Sequence, residues 1–166
     1  MKRVMAFALI VLASGVVLST QNSRTTNDQA EIRKVLDRFA TAFRVRDIDG
    51  VMTMYSPDVM AFDFNPPLQY AGKDAYRNNW EAFFSQFKGP MELEFRDLKV
   101  VASGKVGYAY FLERFSGTMK NGQKVEIWGR CTSGFQKING KWLDTHDHCS
   151  EPVDFTSGKA ALDLKP

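Results

Sequence analysis

Two stretches of the chain hold the side chains best suited to moving a proton. HDHCSEP, residues 146–152, contains both histidines, His146 and His148, two residues apart, with Cys149 after the second. AFDF, residues 61–64, sets Asp63 between two phenylalanines. An imidazole titrates near neutrality without help, and a carboxylate drawn into an aromatic cavity gains the raised pKa that suits a general base. His-x-His on one strand face is also the spacing of two metal ligands, to which Asp63 or Asp144 could add an oxygen. No third ligand is spaced to complete such a set, so no metal and no cofactor is expected. The bland reading of the histidines is that they hold hydrogen bonds in a pocket wall; that of Asp63 is an exposed strand-end carboxylate.

The face on which the histidines stand depends on the turn between Phe135 and Trp142. If Asn139-Gly140 is a two-residue type I′ turn, Ile138 pairs with Lys141 and His146 lies beside Cys131 and Ser133. If Ile138-Asn139 is a type I turn with Gly140 in a G1 bulge, every partner shifts by one. The second register is the expected one. It sets His146 across from Thr132 and His148 across from Arg130, with Trp128, Trp142, Asp144 and Ser150 on the same, ligand-facing side. Arg130 there needs an anion, supplied by Glu126, Asp144 or a ligand. Cys131 and Cys149 become diagonal neighbours, ~7–8 Å apart at Cα, and are expected as free thiols; a three-residue loop, 139–141, would set them directly opposite.

These strands need helices to close a site. TTNDQAEIRKVLDRFATAFRVRD spaces Ile32, Val35, Leu36, Phe39 and Phe43 along one helical face, with Asp28 and Glu31 in the first turn. DIDGVMTMYSPD reads as a short second helix carrying Val51, Met54 and Tyr55 inward, VMAFDF as a strand, and AYRNNWEAFFSQF as a third helix burying Tyr76, Trp80, Phe83, Phe84 and Phe87. From Met91 to Pro152 the pattern alternates, and Gly104-Lys105, Asn121-Gly122 and Asn139-Gly140 mark hairpins. Helices followed by a four-stranded meander predict an α+β domain over residues 27–152. Residues 153–166 form a tail, extended or shortly helical, used for packing or dimer contact. Thirteen Phe, five Tyr and three Trp exceed what a core of this size needs, so some line a pocket. Tyr55, Trp80, Phe84, Tyr110 and Trp128 are candidate walls for a small, largely apolar molecule, beside Asp63, Arg130, Thr132, His146 and His148.

The net charge of +3 is small and interspersed, which excludes a nucleic-acid footprint. MKRVMAFALIVLASGVVLST places Lys2 and Arg3 before an apolar run, the layout of a signal peptide over residues 1–22 with cleavage near Ser19. A periplasmic or secreted mature chain with no membrane segment is expected, in a compartment where a disulfide can persist.

RDIDGVMTMYSPDVMAFD, the run G-K-D-A-Y at 72–76, FQKINGKW and HDHCSEP together resemble the nuclear transport factor 2-like superfamily, in its SnoaL-like and ketosteroid-isomerase-like branch, over residues 28–152. The resemblance implies a cone-shaped fold, with a long helix and two shorter ones packed on a curved antiparallel sheet around a conical pocket, in a homodimer. It places Asp63 at the general base of the isomerases. Their oxyanion donors fall on Phe39 and on Thr132 or Ser133, so both strong donors are missing, and each is worth ~10²–10³ in rate. The C-terminal hairpin also resembles the association domain of calcium/calmodulin-dependent kinase II, an assembly hub, but with Cys149 where that family has Arg. The chain is therefore expected to bind a small molecule in the cone. An isomerase- or cyclase-like enzyme using Asp63 with His146, His148 or Arg130 is the alternative, and a homo-oligomeric assembly module the second.

Overall fold

The computed structural model describes the chain from Phe7 to Pro166, and its side chains from Thr25 onward. Helix α1 spans Phe7–Val45 and presents Ile32, Val35, Leu36, Phe39 and Phe43 to the core, as their spacing dictates. The helix runs unbroken past Asp28 rather than starting there, and that carboxylate is used elsewhere. It accepts from Lys137 Nζ at 2.6 Å and from Trp142 Nε1 at 3.3 Å, tying the helix to the last hairpin. The segment expected to direct export, residues 1–22, lies outside the residues whose side chains are described. Among the described residues, no helix is long and apolar enough to cross a membrane.

Helix α2, Ile48–Met52, begins where Asp47 accepts from the Gly50 N–H at 3.0 Å. Strand β1, Tyr55–Phe62, starts earlier than its apolar run suggests, so Tyr55 belongs to a strand and not to the second helix. The two-residue strand β2, Tyr70–Ala71, pairs with it before helix α3, Lys73–Phe84, buries Tyr76, Trp80 and Phe84. The meander follows as β3, Phe87–Ser103; β4, Val106–Met119; β5, Lys124–Ile138; and β6, Lys141–Ser150. A small hairpin, β7 at Val153–Asp154 and β8 at Lys159–Ala160, ends the chain. The sheet order is β2-β1-β6-β5-β4-β3, antiparallel except where β1 runs parallel to β6.

The β5–β6 hairpin corrects the expected register. Asn139 and Gly140 have φ of 50° and 78°, both left-handed, as a two-residue type I′ turn requires, and Ile138 pairs with Lys141. Phe135 then pairs with Asp144 but Gly134 with His146, so Thr145 is an extra residue. This β-bulge moves the partners of every later residue by one and exchanges the faces they occupy. Trp142 and Asp144 point inward before it; Asp147 and Cys149 point inward after it. Cys131 consequently stands opposite Cys149, 4.2 Å apart at Cα, and the two form a disulfide where free thiols were expected.

Candidate functional site

The inner face of the curved sheet, α1 and α3 enclose a conical cavity of about 620 Å³. Its walls are aromatic. Phe39 meets Trp80 edge-on at 5.6 Å between centroids and Phe95 in a stack at 6.5 Å, while Phe95 packs on Phe111 at 4.6 Å. Phe64 joins this wall because β1 ends at Phe62, and the chain turns so that the Phe64 N–H donates to Asp63 Oδ1 at 2.6 Å. A Cβ at Gly129 would collide with the Phe64 ring, so only glycine there lets the ring lie flat on the sheet.

Five acidic residues line this space, Glu126 and Glu151 among them, and three, Asp63, Asp147 and Glu113, are enclosed by its aromatic walls. Asp63 sits at the end of β1, its Oδ2 accepting from Asn79 Nδ2 of α3 at 2.8 Å. Burial raises its pKa; the Phe64 N–H and the Asn79 amide, which donate to it, partly offset this and favour the carboxylate. Asp147, the residue between the two histidines, accepts from Ser133 Oγ at 3.0 Å, Tyr76 Oη at 3.2 Å and Tyr55 Oη at 3.3 Å. Burial and the charge of Asp63 push it up to about 6 against these three hydroxyls. Glu113 of β4 is 8% exposed and accepts no hydrogen bond from any described residue. Burial first, then the charges of Asp147 and Asp63, push it up to about 8. At neutral pH the cone therefore holds a protonated carboxylic acid, Glu113, beside a carboxylate, Asp147, with Asp63 lining the same space. Behind the wall, Asp144 is fully buried with neither carboxylate oxygen hydrogen-bonded, and burial drives it strongly toward the neutral acid. Lys124, an exposed residue, carries the only positive charge among the described cavity-lining residues.

The residues singled out in the sequence divide between two faces. Asp63 and Trp80 line the cone. Tyr55 stands behind its wall and reaches it through Asp147, and Phe84 packs beneath it against Phe43 at 5.3 Å. Tyr110, Trp128, Arg130, Thr132, His146 and His148, expected on the ligand side, lie on the outer face instead. The grouping of His148 with Thr132 and Arg130 is real, but the face is reversed, because odd-numbered residues of β5 face inward and the bulge sends both histidines outward. Phe62 packs edge-on against His146 at 4.9 Å and His148 at 6.0 Å, and His146 Nδ1 lies 2.9 Å from the Met60 carbonyl. Arg130 Nε donates to Ser150 Oγ at 3.3 Å, and Arg96 lies over Trp128 at 5.9 Å. Neither histidine is near Asp63's cavity, so the pairing of Asp63 with a histidine or with Arg130 has no geometric basis.

Sequence reasoning missed Glu113, Asp147, Ser133 and Tyr76. The signal for Glu113 was present, since Phe111, Glu113 and Phe115 share one strand face and an acid inside an apolar row is out of place. The carboxyl of Glu113 and the sulfurs of Cys131 and Cys149 lie within 4.8 Å of one another. Joined as a disulfide, those sulfurs offer no thiolate to a metal.

A SnoaL-like domain model matches residues 32–154. A nuclear transport factor 2-like protein of unknown function from Pseudomonas putida KT2440 is 36% identical, with a TM-score of 0.79 over 86% of this chain and 99% of that one. A nuclear transport factor 2-like superfamily protein from Salmonella enterica serovar Typhimurium LT2 is 20% identical, with a TM-score of 0.70 over 81% and 98%. A ketosteroid isomerase-like protein from Erwinia carotovora atroseptica SCRI1043 is 21% identical, with a TM-score of 0.65 over 74% and 95%. The last two likenesses speak to the fold alone. No curated protein matches the chain. The α+β cone, the long helix on a curved sheet and the matched span together make this chain a member of the SnoaL-like domain family, on the nuclear transport factor 2-like fold.

Proposed function

We propose that the cone binds a small, largely apolar, uncharged molecule bearing a carbonyl or hydroxyl oxygen, and that Asp63 moves a proton on it. The observation that carries this reading is the juxtaposition, inside one aromatic cavity, of Glu113, whose pKa burial pushes up to about 8, with Asp63, whose carboxyl accepts from two N–H donors. Asp63 is the base: its carboxylate is held at two points by Asn79 and the Phe64 N–H, which fixes its direction. Glu113 is the acid: a neutral carboxyl donates a hydrogen bond to an oxygen on which negative charge develops, and does so most strongly where water is excluded. This supplies, from β4, a donor that the isomerase-like pattern lacks at Phe39 and Ser133. Phe39 is wall, and the Ser133 hydroxyl is spent on Asp147. Asp147 and its three hydroxyl partners keep a second negative charge beside Glu113, which sustains its proton.

The size and walls of the cavity favour a molecule of two or three fused rings. Anionic ligands are disfavoured, because they meet three carboxyl groups and no inner cation. Export fits the Cys131–Cys149 disulfide, which persists in an oxidising compartment. A homodimer would cover the outer face, where Tyr108, Tyr110, Val101 and Val106 are exposed. The test is deuterium exchange at the acidic methylene of 2-tetralone, a neutral bicyclic ketone, followed by NMR. The wild type is expected to accelerate exchange and Asp63→Asn to lose that acceleration while remaining folded. Equal rates in the two proteins would reject Asp63 as the base.

A further inference from the structure

The tail of the chain lies beyond the family match, which ends at residue 154, yet it supplies part of the cavity wall. After Pro152 the chain forms the β7–β8 hairpin and folds back, so that Ala160 and Leu162 line the mouth of the cone opposite Val125 and Ile127 of β5. The hairpin is locally well built. Asp154 accepts from the Thr156 N–H at 2.8 Å and from Ser157 Oγ at 3.0 Å, and Gly158, at φ 70°, donates its N–H to the Asp154 carbonyl at 2.7 Å. One backbone hydrogen bond, Ala161 N–H to the Pro152 carbonyl at 2.8 Å, closes the fold-back.

Its attachment to the body is much slighter. Past Pro152, the one ion pair to the rest of the domain among the described residues joins Lys165 Nζ to Glu126 Oε1 at 3.1 Å, with both partners well exposed. Glu126 also meets Arg114, through its other oxygen, at 3.4 Å. An exposed pair of this kind is weak and screened by salt. Leu162 is about half exposed, covering the cavity with one side and facing solvent with the other.

We infer that residues 153–166 are a strap that closes the mouth of the cone, with Leu162 as the residue that limits how long a ligand can be. This rests on the cone being the binding site. A stiff hairpin held by one surface ion pair and one leucine moves as a unit: it swings away to admit a ligand and returns to cover it. A ligand contained by the cone is shielded by Leu162 when bound, whereas one with a long chain must hold the strap open. Length selection therefore comes from the tail and not from the deep aromatic walls, which belong to the matched family domain.

The experiment uses the full chain and two neutral naphthyl ketone dyes that differ only in acyl length, 6-propionyl- and 6-dodecanoyl-2-(dimethylamino)naphthalene. Stopped-flow fluorescence gives their association and dissociation rates for the wild type, Lys165→Glu and Leu162→Asp. Lys165→Glu sets two like charges at the anchor and is expected to raise both rates for the short dye about threefold, and added salt is expected to do the same to the wild type. Leu162→Asp is expected to speed release of the short dye by about tenfold and to narrow or abolish the preference for it over the long dye. Both side chains are at the surface, and unchanged circular dichroism and Tm confirm that the domain is intact. Rates and preference identical in all three proteins would overturn the strap and leave the cone as a binding site. Failure of either dye to bind any of the three would overturn the binding reading and the strap with it.

Discussion

The two faces of the β5–β6 hairpin use their polar side chains in opposite ways. On the outer face His146, His148, Arg130, Thr132 and Ser150 stand in or near solvent, where a charge costs little. On the inner face Asp147, Ser133 and, one strand over, Glu113 are enclosed by aromatic rings. The outer set is richer in residue types associated with catalysis, but the inner set has the perturbed protonation that proton transfer requires. Residue type is a weaker guide than environment: a glutamate buried beside two aspartates can do more than two imidazoles on the outer face.

Substitutions on the two faces should separate sharply. The largest expected effect is at Asp63, where Asn should cost about 10²-fold or more in exchange catalysis, the range for loss of a positioned base. His146→Ala and His148→Ala in the same assay should change the rate little. A loss at either histidine comparable to that at Asp63 would undo the contrast.

The disulfide that clamps the two strands together on the inner face comes next. It spans 18 residues and joins the strand carrying Ser133 to the one carrying Asp147. By loop-closure reasoning its removal, as Cys131→Ser with Cys149→Ser, should cost about 3 kcal/mol, read as a lower denaturant midpoint that added dithiothreitol reproduces in the wild type.

Glu113 gives the inner face a pH signature. Its folded pKa is raised above the unfolded value, so the folded state binds the extra proton. That contribution to stability is fully present below about pH 4.5 and is lost as pH rises through about 8. Stability should therefore fall by about 2–3 kcal/mol between pH 5 and 8, and Glu113→Gln should flatten most of that slope. The smallest expected effect is on stability at the outer histidines, where alanine should shift unfolding by no more than about 0.5 kcal/mol, the range for surface substitutions.

Most of the fold was legible from periodicity. The apolar stripe from Ile32 to Phe43 and the turn residues of the meander act locally, and the structure uses the stripe as a buried helix face and the turns as hairpin ends. The site was half legible. Asp63 reaches the cavity because its strand parity puts it opposite Phe62, which a sequence displays. The histidines were misplaced because the even-numbered face of β5, with Thr132 and Arg130, was read as the inner one, and because nothing in Asp144-Thr145-His146 announces the bulge that parts them from Trp142 and Asp144. One inserted residue reverses inside and outside, and it also decides whether two cysteines face each other. Asp147 was hidden by its neighbours: the eye goes to His-x-His, and the structure uses the residue between.

The most direct test is a carbon-13 NMR titration of the side-chain carboxyls in the oxidised, unliganded protein, with Glu113→Gln assigning the glutamate resonance. The account expects Glu113 to titrate near 8 and Asp147 near 6, as apparent values for an interacting set, with the Glu113 step removed in the variant. Glu113 and Asp147 both titrating at about 4, the ordinary carboxyl range, would mean that the cone is wet and its carboxyls are ordinary surface groups. The acid–base reading of the inner face would then fall.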